Sequence, residues 1–110
     1  MGLNLTLIPQ MDTMSGRMLA FVRLPLRTQD RDLFRKIEQI AHPFTDGVDW
    51  YSDGGLEPRD DDPYGTPLTF ALASDLARCL EAADLCRTDP AVRAFINAMP
   101  PDWRVVLWWC

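Results

Sequence analysis

Apolar and polar residues alternate at the start of the chain. In "LNLTLIP", Leu3, Leu5 and Leu7 lie on one side, with Asn4 and Thr6 on the other. That period of two predicts a half-buried strand, which Pro9 ends. A polar turn with Gly16 follows. "MLAFVRLPL" then predicts a second strand whose near-continuous apolarity asks for cover on both faces, hence a central position. The short connection favours antiparallel pairing of the two as a hairpin. In "RTQDRDLFRKIEQIAHP" the period changes to that of a helix. Thr28 or Asp30 can cap it, Leu33, Phe34, Ile37, Ile40 and Ala41 form its apolar stripe, and Pro43 stops it.

Periodicity is lost from Phe44 to Gly65, a long acidic loop containing four glycines and two prolines. It resumes in "TPLTFALASDLARCLEAAD". Thr66 followed by Pro67 is a helix start signal, and Leu68, Leu72, Leu76, Cys79, Leu80 and Ala83 line one face. The preferred reading is one long helix. The alternative makes Leu68 to Leu72 a short strand, with Ser74 capping a shorter helix. "TDPAVRAFINAMPP" predicts a further helix capped by Asp89 and led by Pro90, with Val92, Phe95 and Ile96 inward. "DWRVVLWWC" predicts a closing strand of β-branched and aromatic residues. It should insert beside the first hairpin under the helices. Trp108 and Trp109 must then face opposite sides, because side chains alternate along a strand. One belongs to the core. The other needs a second cover: the long loop, a helix on the far face, or another subunit. The expected fold is a single α+β domain over residues 1–110, with a small three-stranded, at least partly antiparallel sheet and about three helices, in the order β-β-α-loop-α-α-β.

Composition narrows the class. The 110 residues are 47% hydrophobic and 25% charged, the proportions of a globular domain. No apolar run approaches the ~20 residues that span a bilayer, and "MGLNLTLIPQ" lacks the basic start of a signal peptide. Three cysteines, Cys79, Cys86 and Cys110, are an odd, sparse set that suits a reducing compartment, so a cytoplasmic protein is expected. Charge is placed unevenly. Asp46, Asp49, Asp53, Glu57, Asp60, Asp61 and Asp62 stand against Arg59 alone, so the 44–65 segment carries −6 of a chain whose total is −5. The remainder carries only +1, too little basic excess to hold nucleic acid or an anionic membrane.

Few residues suggest chemistry. His42, the only histidine, could act with Cys79, Cys86 or Asp46 as a base or metal ligand. No HxH, HExxH or CxxC spacing accompanies it, and a helix-end contact is the simpler role. "DWYSDGGLEPRD" resembles a calcium loop in the spacing of Asp49, Asp53, Gly54 and Asp60. Tyr51 supplies no carboxylate at the third position, however, and Asp replaces Glu at the twelfth. No phosphate-binding glycine motif is present. No catalytic residue, metal or cofactor is therefore expected.

Two kinds of function remain, with a third behind them. The first is a non-enzymatic acidic interaction module that offers Asp49, Trp50, Tyr51, Asp53, Glu57, Asp60, Asp61 and Asp62 to a basic site on another protein. Carboxylates would steer the encounter and aromatics would anchor it. The second is a homo-oligomeric assembly protein, a homodimer for example, that uses an exposed face of Trp108 and Trp109. The third is a small metal protein or enzyme built on His42 and the acidic loop. "LNLTLIP" and "INAMPPDWRVVLWW" around an Asp-rich middle resemble the small accessory proteins of phages and prophages. That resemblance implies a small inhibitor or regulator of a host protein.

Overall fold

The structure is a computed structural model that describes residues 4–10, 18–20, 22–83, 85 and 88–110, with the backbone alone described at 18, 19, 51 and 52. Leu3, Gly16, Phe21 and Cys86 lie outside the described residues, and with them their assigned places in the first two strands and the turn, and the candidate role of Cys86 beside His42. The elements in order are β1 (Leu5–Pro9), β2 (Met18–Leu19), β3 (Leu24–Pro25), α1 (Arg31–Gln39), β4 (His42–Pro43), β5 (Val48–Ser52), β6 (Gly55–Arg59), β7 (Thr69–Leu72), α2 (Ala73–Glu81), α3 (Asp89–Ala98) and β8 (Arg104–Trp109). The fold is α+β with three helices, as expected, but the sheet content is larger. A five-stranded antiparallel sheet has the order β3-β1-β8-β7-β4, and a three-stranded sheet has the order β2-β5-β6.

The closing strand, expected beside the first hairpin, takes the central place instead of "MLAFVRLPL". β8 pairs antiparallel with β1 from Leu5↔Trp109 to Pro9↔Val105, and with β7 from Thr69↔Leu107 to Leu72↔Arg104. Alternation divides its side chains between two cores. Val105, Leu107 and Trp109 join Leu5, Leu7 and Ala71 under the helices, where Leu33, Ile37, Leu76, Leu80 and Ile96 complete the packing. Val106 and Trp108 turn to the other face, where they meet Ile8, Phe44, Val48, Leu68, Trp50 and Phe70. The molecule is thus layered as helices, five-stranded sheet and three-stranded sheet.

Two expected elements are corrected. "MLAFVRLPL" is not one central strand. Met18–Leu19 pairs in parallel with β5, and Leu24–Pro25 forms the outer strand beside β1. Between them Arg23 is drawn across the second core, its Nε donating to the Ala20 carbonyl at 3.0 Å. Pro25 has no N–H to donate and suits an edge. The long helix beginning at Thr66 is also replaced. Its first part is β7 and the helix starts only at Ala73, so the alternative reading of Leu68 to Leu72 holds. Ser74 is not its cap. The N-cap is Leu72 without a side-chain bond, and the first amides are satisfied by the chain before β8, Ala73 N–H donating to the Trp103 carbonyl and Ser74 N–H to that of Pro101.

Helix α1 starts as its sequence indicates, with the Asp30 side chain accepting from the Asp32 and Leu33 amides. For α3, Asp89 has a different role from the expected cap. Thr88 occupies the N-cap without a side-chain bond, and Asp89 is the first helical residue. Its carboxylate is fully buried and accepts from the Arg27 amide at 2.6 Å and the Thr28 amide at 2.9 Å. This ties the segment entering α1 to the start of α3, where the helix dipole favours an anion. Replacing Asp89 with Ala orphans two backbone donors, one of them buried, and should cost roughly 2–3 kcal/mol in chemical denaturation. A loss below about 0.5 kcal/mol would show that the tie carries no stability.

Candidate functional site

The acidic segment is not an unstructured loop. Residues 48–59 form the β5–β6 hairpin, with register from Val48↔Arg59 to Ser52↔Gly55 and Asp53–Gly54 at the tip. Asp-Gly between two extended runs is a hairpin signal that was present in the sequence. It was obscured because "VDWYS" and "LEPR" are too short and too polar to show a period. Gly55 closes the turn at φ +102°, which L side chains rarely adopt. Pro58 fits because β6 is an outer strand of its sheet.

The hairpin is fastened to the body through Trp50. Its ring lies on Trp108 with centroids 4.5 Å apart, and the Arg23 guanidinium sits 4.0 Å from its centroid. Arg59 approaches the same ring at 5.9 Å. Beside this stack, Arg104 lies 5.2 Å from the Phe44 centroid and 5.8 Å from that of Phe70. Partly desolvated cation–aromatic contacts of this kind contribute about 1 kcal/mol each. The second cover required by the tryptophan pair is therefore the 44–65 segment itself. Trp108 is only 6% exposed beneath it, which corrects the expectation of an exposed face formed with Trp109. Trp109 stands on the opposite side, half-buried, with the edge of Phe34 packed at 5.4 Å.

The sequence-predicted site residues separate into two groups. Asp46 is paired with Arg104 at 2.8 Å and Glu57 with Arg59 at 2.9 Å. Asp62 is 8% exposed and organises its own turn, with Oδ1 accepting from the Tyr64 amide at 2.9 Å and the Thr66 amide at 3.0 Å. Trp50 is half-buried in the stack. The outward charges are Asp53 at the tip and Asp60 and Asp61 at the base, all exposed, with Asp49 partly exposed on β5. Tyr51 is opposite Leu56 in the register. Leu56, absent from the expected set, is 56% exposed and is a large apolar residue that the hairpin offers outward.

The alternative chemistry is not assembled among the described residues. His42 lies exposed on the outer strand β4 beside Phe70, Cys79 packs on the helix core from α2, and Asp46 is held by Arg104. Burial raises the Cys79 pKa, opposed by Lys36 and Arg78 and assisted by Asp75, so the group stays a thiol at neutral pH. The calcium-loop spacing fails geometrically. Asp53 and Asp60 stand at opposite ends of a five-residue extended strand, roughly 15 Å apart. No group of three metal-ligating side chains occurs among the described residues, and no helix there is long and apolar enough to cross a membrane.

Comparison with protein-family models, with curated proteins and with solved structures finds no match to this chain.

Trp50→Ala should remove the hairpin's attachment and uncover Trp108. The expected loss is about 3 kcal/mol by urea unfolding, with a red-shifted tryptophan emission. An unchanged midpoint would mean that the hairpin is held by its backbone pairing alone.

Proposed function

We propose that this chain is a non-enzymatic acidic interaction module, a small inhibitor or regulator that presents the β5–β6 hairpin and the following turn to a basic surface on another protein. The observation that carries this reading is the split among the acidic residues. Glu57 and Asp46 are paired with Arg59 and Arg104, while Asp53 and Asp61 stand exposed on the same segment as the exposed Leu56. Outward carboxylates raise the association rate with a basic partner, and a central apolar residue slows dissociation. The resemblance of the two ends of the chain to phage accessory proteins favours a host protein as the target, in the cytoplasm. A groove that binds nucleic acid is the kind of basic surface such charges would occupy.

The test is capture from a bacterial lysate by the tagged protein at low and high salt, beside the variant Asp53→Lys/Asp60→Lys/Asp61→Lys. Asp62 is left intact because its substitution would open the turn. A basic partner held at low salt, released at high salt and weakened roughly tenfold or more by the variant is expected. Recovery of the protein's own chain alone would reject this reading in favour of self-assembly.

A further inference from the structure

The chain contains two Asp–Gly pairs, Asp46–Gly47 and Asp53–Gly54. In such a pair the aspartyl Cγ can close a five-membered ring with the amide nitrogen of the next residue. Glycine hinders that closure least, because it places no side chain over the nitrogen and its backbone rotates freely. The fold treats the two pairs in opposite ways.

Asp46 is held. Its Oδ2 accepts from Arg104 Nη1 at 2.8 Å, and that guanidinium is itself placed over the Phe44 ring. Gly47 is buried at φ +78° and leads directly into Val48, which is fully buried and paired with Arg59 in the hairpin. Rotating this backbone would draw Val48 out of the second core. Asp53 and Gly54, by contrast, form the tip of the β5–β6 hairpin, and both are exposed. Neither is hydrogen-bonded or ion-paired to a described residue. Gly55 follows, with nothing within 4 Å of the place a Cβ would take. Exposed loop tips are where the backbone has most freedom to turn.

We propose that Asp53 is a site of spontaneous isomerisation, and that the fold protects Asp46 from the same reaction. The Gly54 nitrogen attacks Cγ of Asp53 in its carboxylic acid form. A C–N bond forms, and the amide proton leaves with the carboxyl hydroxyl as water, which gives a cyclic succinimide. Water then adds to one of the two ring carbonyls. Opening at Cγ restores aspartate. Opening at the main-chain carbonyl leaves isoaspartate, with the chain running through Cβ and Cγ. The negative charge survives, but the backbone gains one carbon where Ser52↔Gly55 closes the hairpin, and turn length sets hairpin register. This chemistry does not depend on the identity of any partner.

The test keeps the folded protein for weeks at neutral pH in water enriched in heavy oxygen, beside a sample unfolded in guanidinium chloride. Ring closure and reopening leave heavy oxygen on the aspartate, which peptide mass spectrometry locates. Endoproteinase Asp-N, which cuts before aspartate but not before isoaspartate, identifies the isomer. In the folded protein both signals are expected at residue 53, severalfold ahead of residue 46. In the unfolded sample the two positions should react at similar rates. Gly54→Val should slow the reaction at residue 53 severalfold in folded and unfolded samples alike. Equal labelling of the two positions in the folded protein, no label at residue 53, or a preference for residue 53 that persists unchanged on unfolding would each overturn the proposal.

Discussion

The alternation of β8 between two cores is the constraint from which the rest of the structure follows. A strand hydrogen-bonded on both edges and covered on both faces must be apolar at almost every position, and Val105, Val106, Leu107 and Trp108 are all buried. Its odd-numbered residues require helices above them. Its even-numbered residues require something else below. The backbone of Cys110 exchanges two hydrogen bonds with that of Asn4, which extends the pairing with β1. Without the three-stranded sheet, Val106 and Trp108 would face water, and the central strand would lose half of its burial. The acidic segment is for this reason part of the core as well as of the surface.

That double duty explains its composition. The inward side of the hairpin carries Val48 and Trp50, and arginines cover the aromatic rings where packing ends. A guanidinium there lies over an aromatic ring while its charge meets Asp46 or Glu57. The outward side carries aspartates and Leu56. Three of the four outer strands are blunted in one way: β3, β4 and β6 contain Pro25, Pro43 and Pro58 respectively, while β2 is only two residues long. Open-ended pairing with another chain is thereby disfavoured at those edges, and contact with a partner there falls to side chains. The surface proposed for recognition, the hairpin's outer face, follows this pattern.

Where local signals were complete, the sequence was enough. Asp30 and the Leu33–Phe34–Ile37 stripe defined α1, Pro90 marked the start of α3, and the run from Val105 to Trp109 defined a strand with its tryptophans on opposite faces. Each depends on neighbouring residues only, through capping, helical spacing or the two-residue period. The acidity of 44–65 and the absence of metal or nucleotide motifs were also plain from residue order.

Tertiary structure decided what residues distant in the chain do for one another. Leu68 to Leu72 satisfies a helical stripe and a strand alike, and pairing with β8 resolves the tie because its amides find partners there. "MLAFVRLPL" is apolar enough for one strand, but Arg23 is claimed by the Trp50 ring and the strand breaks around it. Asp62 is one of three consecutive aspartates and cannot be told from its neighbours by sequence. Only the turn that returns Tyr64 and Thr66 to its carboxylate buries it beside Trp109. Residue type and local period fix which face of an element is apolar. Which other element covers that face is set by long-range packing, and in this chain that cover was the segment whose polarity had concealed it.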